Sequence, residues 1–158
     1  MKSSKPNRSE ASDARKLALE LLARREHSRE ELRRKLARRD LDAAEISSLL
    51  DQLRSERLQS DDRFTESYVY ARRTRGFGPV RIRMELQEHG VADAVISAHL
   101  DEHAAHWQDV LYVLYRKRYS DELVGDYQER ARKSRFLQYR GFDAEMIRRL
   151  LDDLNREP

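Results

Sequence analysis

Three histidines, His99, His103 and His106, come closest to a metal motif in this chain. His99 and His103 are one helical turn apart, a spacing at which two imidazoles can share a zinc ion. No cysteine is present to complete such a site. Both histidines also occupy positions where leucine stands in related segments of the chain, so packed histidines at a helix end are expected, with no metal and no other cofactor. Asp61 and Asp62 are an adjacent acidic pair, and the positive end of a helix dipole accounts for them. The Gly76–Pro79 stretch, GFGP, has neither the spacing nor the Lys-Ser/Thr pair of a phosphate-cradling loop. It reads as a helix–helix turn with proline at the first helical position. No serine has a histidine and an acid at motif-like spacing. No catalytic residue is assigned, and the chain is not expected to be an enzyme.

The basic residues offer more. Arg24, Arg25, Arg33, Arg34 and Lys35, followed by Arg38 and Arg39, lie in the first third. Arg72, Arg73, Arg75, Arg81 and Arg83 lie in the middle, and Arg130, Arg132, Arg135 and Arg140 near the end, beside Lys133, Phe136, Tyr139 and Phe142. On one reading these are solvated faces, paired locally with Glu20, Glu30, Glu31 and Glu129. On the other they align into a stripe that follows an acidic, helically repeating partner. Arg72 and Arg81 flank the Gly76–Gly78 turn, where little local core explains an arginine, so reversing their charge is expected to leave the fold intact. Tyr112, Tyr115 and Tyr119, interleaved with Arg116, Lys117 and Arg118, have the composition of a surface that stacks unpaired bases. The competing reading places Tyr112 and Tyr115, with Val113 and Leu114 between them, in a core-facing helix.

Composition narrows the class. The 158 residues are 39% charged and 39% hydrophobic, with a mean hydropathy of −0.93, against about 25% charged in an ordinary globular chain. A thin or extended body fits better than a thick core. The 32 basic and 29 acidic residues leave a net charge of +3, which permits a nucleic-acid or acidic-protein partner without requiring one. With no cysteine there are no disulfides, thiolate sites or thiol nucleophiles, as in a reducing cytoplasm. No apolar run approaches the roughly 20 residues of a membrane span, and the N-terminus lacks the apolar core of a signal peptide. Few glycines, prolines and β-branched residues favour helix nearly throughout.

An internal repeat organises these helices. Segments starting at Ser28, Gly78 and Glu129 share apolar positions: Leu32, Leu36, Leu41, Ile46, Leu50 and Leu53; Ile82, Leu86, Val91, Ile96 and Leu100; Leu137, Phe142, Ile147, Leu151 and Leu154. The period of about 50 residues is typical of repeat architectures. Ser28 with Glu31 and Asp42 with Glu45 are capping boxes, and Asp143 caps the last helix. Gly90 and Gly141 end the preceding helix in the left-handed region, with Asp40 in that place in the first segment. A further helix precedes each pair, from Asp13, Asp61 and around Trp107. The expected fold is all-α: nine helices in three tandem three-helix repeats, stacked into an elongated, curved array. Residues 1–12 are expected to be a disordered tail, with repeats at 13–58, 59–105 and 106–158.

Leu58 to Val91, LQSDDRFTESYVYARRTRGFGPVRIRMELQEHGV, resembles the signature of the RecX family of bacterial recombinase regulators. The Asp-Asp pair before Phe64, Tyr68-Val69, Gly76–Gly78, Arg81-Ile82, Glu85-Leu86 and Gly90 carry the likeness, and RFLQYRGFDAEMIRRLL resembles the family's third unit. The likeness runs from about Asp13 to Leu154. Two positions depart from it: Asp40 replaces a glycine, and Lys133 stands where Leu32 and Ile82 stand. The resemblance implies a cytoplasmic, non-enzymatic regulator, expected to be a monomer, that acts in DNA repair, recombination and the SOS response. Its partner would be the RecA recombinase, above all its filament on single-stranded DNA, whose ATPase, strand-exchange and co-protease activities it would suppress. The alternative is a DNA-binding protein that occupies single- or double-stranded DNA through helix-turn-helix-like units.

Overall fold

Helix starts and stops in this chain are set by side-chain caps and glycines. In the computed structural model, which describes residues 8–120 and 122–156, Ser28 caps one helix by accepting from the Glu31 N–H. Asp42 and Glu45 form a complete capping box, while Asp126 and Asp143 accept from Glu129 and Met146 N–H. Gly76, Gly90 and Gly141 all have positive φ, the geometry that closes a helix at low cost for a residue without Cβ. Asp40 does not take up that role: Arg57 and Ser120 are the described non-glycine residues with positive φ. The first stop is made differently, by a helix that ends at Leu36 and a short turn before Leu41.

Nine helices and no strand result among the described residues: α1 (Arg8–Arg24), α2 (Arg29–Leu36), α3 (Ala43–Ser55), α4 (Asp61–Thr74), α5 (Pro79–Glu88), α6 (Asp93–His99), α7 (His106–Tyr119), α8 (Tyr127–Tyr139) and α9 (Ala144–Arg156). Residues 8–12, expected in the N-terminal tail, are the first turns of α1. Ser9, Glu10, Ala11 and Ser12 contain no helix breaker, and Glu10 suits the dipole there. Residues 1–7 lie outside the described residues.

The chain divides into two compact units. The first comprises residues up to Ser67 together with Gln87–Ile96. Its core gathers Ala14, Ala18, Leu32, Leu36, Ile46, Leu50 and Leu53, with Leu17, Leu21, Leu22 and Leu41 partly buried against it. The second comprises Tyr68–Leu86 and the residues from Ser97 on. It buries Ile82, Leu86, Leu100, Trp107, Leu111, Leu114, Tyr115, Leu137, Phe142, Ile147 and Leu151. The equivalent positions of the repeats behave alike: Leu36, Leu86 and Leu137 are buried, as are Ile46, Ile96 and Ile147.

Lys133 is the exception in chemistry but not in place. It is as buried as Leu32 and Ile82, at 1% exposure. Its ammonium donates to the Leu123 carbonyl at 2.8 Å, lies 3.7 Å from the Glu122 carboxylate and sits 4.9 Å from the Tyr119 ring centroid. A buried cation is tolerable only with such partners.

One junction occurs once in each unit. In the first, Ser28 Oγ donates to the His89 carbonyl at 2.7 Å, and a Cβ on Gly90 would meet Glu30 Cβ at 2.5 Å. In the second, Gly78 N–H donates to the Arg140 carbonyl at 2.7 Å and Val80 N–H to the Gly141 carbonyl at 3.0 Å. There a Cβ on Gly78 would stand 2.4 Å from the Gly141 carbonyl oxygen. Ser28 and Gly78 are equivalent in the repeat, as are Gly90 and Gly141.

Candidate partner-binding surfaces

In the second unit, the turn after α4 gathers much of the charge. The Phe77 N–H bonds the Arg72 carbonyl and the Gly76 N–H that of Arg73, a Schellman-like stop that holds the Phe77 ring beside its own helix. Three guanidiniums converge on this ring: Arg72, Arg81 and Arg140, at 3.7, 4.6 and 4.5 Å from its centroid. One carboxylate serves the first two. Glu85 accepts from Arg72 through a fork at 2.6 and 2.9 Å, from Arg81 at 3.0 Å and from the Tyr68 hydroxyl at 2.7 Å. Burial, the largest single effect, pushes the Glu85 carboxyl up, but the bonds from Arg72, Tyr68 and Arg81 together outweigh it and hold it below the usual range.

Arg140 has no carboxylate partner among the described residues, and its buried Nε finds no acceptor. Burial first, then the neighbouring Arg81, Arg72 and Arg118, push its guanidinium below the ordinary value. Arg81 also donates to the Tyr139 carbonyl. Arg72 and Arg81 are therefore structural, contrary to the expectation that their charge can be reversed freely. Their charge is consumed by Glu85 and Phe77, a contact invisible until α4 and α5 lie side by side.

The remaining sequence-derived residues sort into paired and unpaired. Arg25 pairs with Glu31, Arg33 and Arg34 with Glu30, and Lys35 contacts His27. Arg83 pairs with Glu102, Arg130 with Asp152 and Arg132 with Glu129. The exposed pairs of Arg33, Arg34 and Arg132 contribute about 0–1 kcal/mol each, whereas Arg25 meets a buried carboxylate and the Arg83 and Arg130 pairs are partly buried. Arg24, Arg75 and Arg135 are exposed and have no carboxylate partner among the described residues, while Arg73 lies near the Tyr70 ring at 5.9 Å.

The tyrosines separate too. Tyr112 is exposed, but Tyr115 is buried at 1% exposure and packs on Tyr119, with ring centroids 5.1 Å apart. Tyr119 in turn meets Phe136 edge-on. Tyr115 is thus a core residue and offers no face to a base, because it forms the wall around Lys133. His99 is half-buried while His103 and His106 are exposed, and among the described residues no three potential ligands gather into a metal-holding group.

Sequence reasoning missed Phe77, the hub of the arginine cluster. Its only signal is a lone aromatic between two glycines. It also passed over Lys117 and Arg118 as site residues in their own right. They line a groove of about 540 Å³ with Arg73, Arg75, Val113 and Arg140.

Among the described residues this arrangement, nine helices with repeated caps, glycine stops and equivalent buried positions, defines an all-helical tandem-repeat protein. Models of the first, second and third three-helix domains of RecX match residues 14–53, 60–100 and 107–151. The chain belongs to the RecX family of regulatory proteins. It is 47% identical over 137 residues to the regulatory protein RecX of Pseudomonas fluorescens strain SBW25, covering 87% of this chain and 88% of that one. It is 46% identical over the same length to that of Pseudomonas savastanoi pv. phaseolicola. The crystal structure of RecX from Lactobacillus salivarius has the same fold, with a TM-score of 0.73 at 21% identity over 93% of this chain and 97% of that one. Among the described residues no helix is long and apolar enough to cross a membrane.

Proposed function

We propose that the protein binds the filament of the RecA recombinase on single-stranded DNA and restrains its ATPase, strand-exchange and co-protease activities. It would do so in the cytoplasm, in DNA repair and the SOS response. Membership of a regulatory family carries this reading. The unpaired guanidiniums of the second unit supply a chemistry for it. A nucleoprotein filament presents both carboxylates and phosphates, and Arg73, Arg75 and Arg135 are not committed to carboxylates of their own. Arginine forks suit either anion.

The test is recombinase ATPase on single-stranded DNA with the protein titrated in at fixed salt. Wild type lowers the rate, less so as salt rises. Arg73→Glu with Arg75→Glu loses the inhibition while its unfolding transition stays in place. Absence of any effect of wild type on the ATPase overturns the proposal. If the double variant loses binding to naked DNA as completely as to filament, the protein acts by occupying DNA instead.

A further inference from the structure

The groove of the second unit has two kinds of lining. Its rim carries five cations, Arg73, Arg75, Lys117, Arg118 and Arg140, against one carboxylate, Asp109. Its floor is apolar: Val110, Val113, Leu114 and Phe136. Val113 stands 62% exposed in the middle of α7, next to the exposed Tyr112, while Leu111 and Leu114 of the same helix are buried. An aliphatic side chain held in water inside a ring of positive charge points to a ligand that is anionic and apolar at once.

The floor discriminates between the two anionic macromolecules. A groove for single-stranded nucleic acid combines cations with open aromatic faces on which bases stack. Here the one floor aromatic is already occupied. Phe136 lies under Arg118 at 5.3 Å and Arg140 at 5.6 Å, and takes the Tyr119 ring edge-on at 6.0 Å. The surface left open is aliphatic, which fits a leucine-like anchor rather than a base. The rim fits carboxylates spaced around that anchor, and the free Nε of Arg140 lacks an acceptor.

We infer that this groove docks an acidic protein segment bearing an apolar anchor, with Val113 and Leu114 receiving the anchor and Arg73, Lys117, Arg118 and Arg140 its carboxylates. The inference does not depend on the recombinase being the partner, and its probes contain none.

Three labelled probes are titrated against the full chain by fluorescence anisotropy: a short helical peptide of Glu and Asp with Leu one turn apart, the same peptide with Ser for Leu, and an oligothymidylate of equal charge. The expected result is that the Leu peptide binds about tenfold or more tighter than the Ser peptide, the factor made by about 1.4 kcal/mol. Val113→Ser, an uncharged change at an exposed position, should erase that difference without altering helicity or oligothymidylate binding. Equal affinity for the two peptides overturns the inference, as does a Leu preference that survives Val113→Ser. If Val113→Ser weakens the oligothymidylate as much as the Leu peptide, the groove belongs to nucleic acid and the inference is likewise wrong.

Discussion

Replacing Glu85 by Gln keeps the shape of the side chain and removes the charge at the centre of the second unit. Four donor contacts reach this carboxylate, at 2.6, 2.7, 2.9 and 3.0 Å. The side chains of Glu85, Arg72 and Arg81 are 13%, 19% and 23% exposed. Breaking a fully buried ion pair costs about 3–5 kcal/mol, and an exposed one contributes about 0–1 kcal/mol. With this residual solvent, about 2–3 kcal/mol is expected. Three guanidiniums would then share the Phe77 ring with no anion. For a chain of this length each kcal/mol moves the melting point by about 2–4 °C, so a fall of roughly 5–10 °C should appear in thermal unfolding followed by circular dichroism. Arg75→Glu, at an exposed position without a carboxylate partner, should stay within about 0.5 kcal/mol of wild type. Acid unfolding gives a second readout. The folded carboxyl lies below its ordinary value, so its contribution is present above about pH 4.3 and is lost as pH falls through the folded value. Glu85→Gln should lack that loss. A variant that melts with wild type, or Arg75→Glu falling as far as Glu85→Gln, would refute the reasoning.

Two further outcomes are expected. Gly78→Ala drives a Cβ to within 2.4–2.8 Å of backbone atoms of Gly141 and Phe142, and should cost about 1–3 kcal/mol in urea unfolding, whereas Val80→Ala, half-exposed nearby, should cost little. His27 is buried, with its Nδ1–H on the Arg25 carbonyl and its Nε2 accepting from Lys35. Burial above all holds its pKa below the ordinary value, with Arg25 and Lys35 adding to the effect against the Arg25 carbonyl and Glu31. The unfolded chain takes up that proton first, so melting temperature should decline as pH drops below about 6.5, and less steeply in His27→Asn.

The helices, stops and repeated core were legible because their signals are local. A cap speaks to a residue three positions on, and an apolar stripe shows its own period. Leu36, Leu86 and Leu137 were found that way. What stayed hidden depends on side chains meeting across helices. Arg72 and Arg81 looked free because Glu85 is one more acid in a charged sequence, and nothing local says that it faces Phe77's neighbours. Tyr115 was open to two readings, a base-stacking surface or a core-facing helix, because nothing local shows that it packs around Lys133, at a position the repeat reserves for Leu32 and Ile82. Asp40 looked like a glycine substitute because the alignment of repeats assumed equal helix lengths, and α2 stops early at Leu36.

The recurring junction has a consequence for where this chain can be cut. Counted by its repeats, the polypeptide would be divided near residues 58 and 105. Counted by its contacts, the first unit needs Gln87–Ile96, because Ser28 bonds the His89 carbonyl and Glu31 pairs with His89 at 3.0 Å. A fragment ending at residue 58 would take the His89 ring away from Glu31 and strip Ser28 of its acceptor. The period written in the sequence and the compact unit are out of phase by about a helix. A domain library trimmed at repeat boundaries would therefore yield pieces with exposed seams, and an autonomous fragment has to borrow its last helix start from the neighbour downstream.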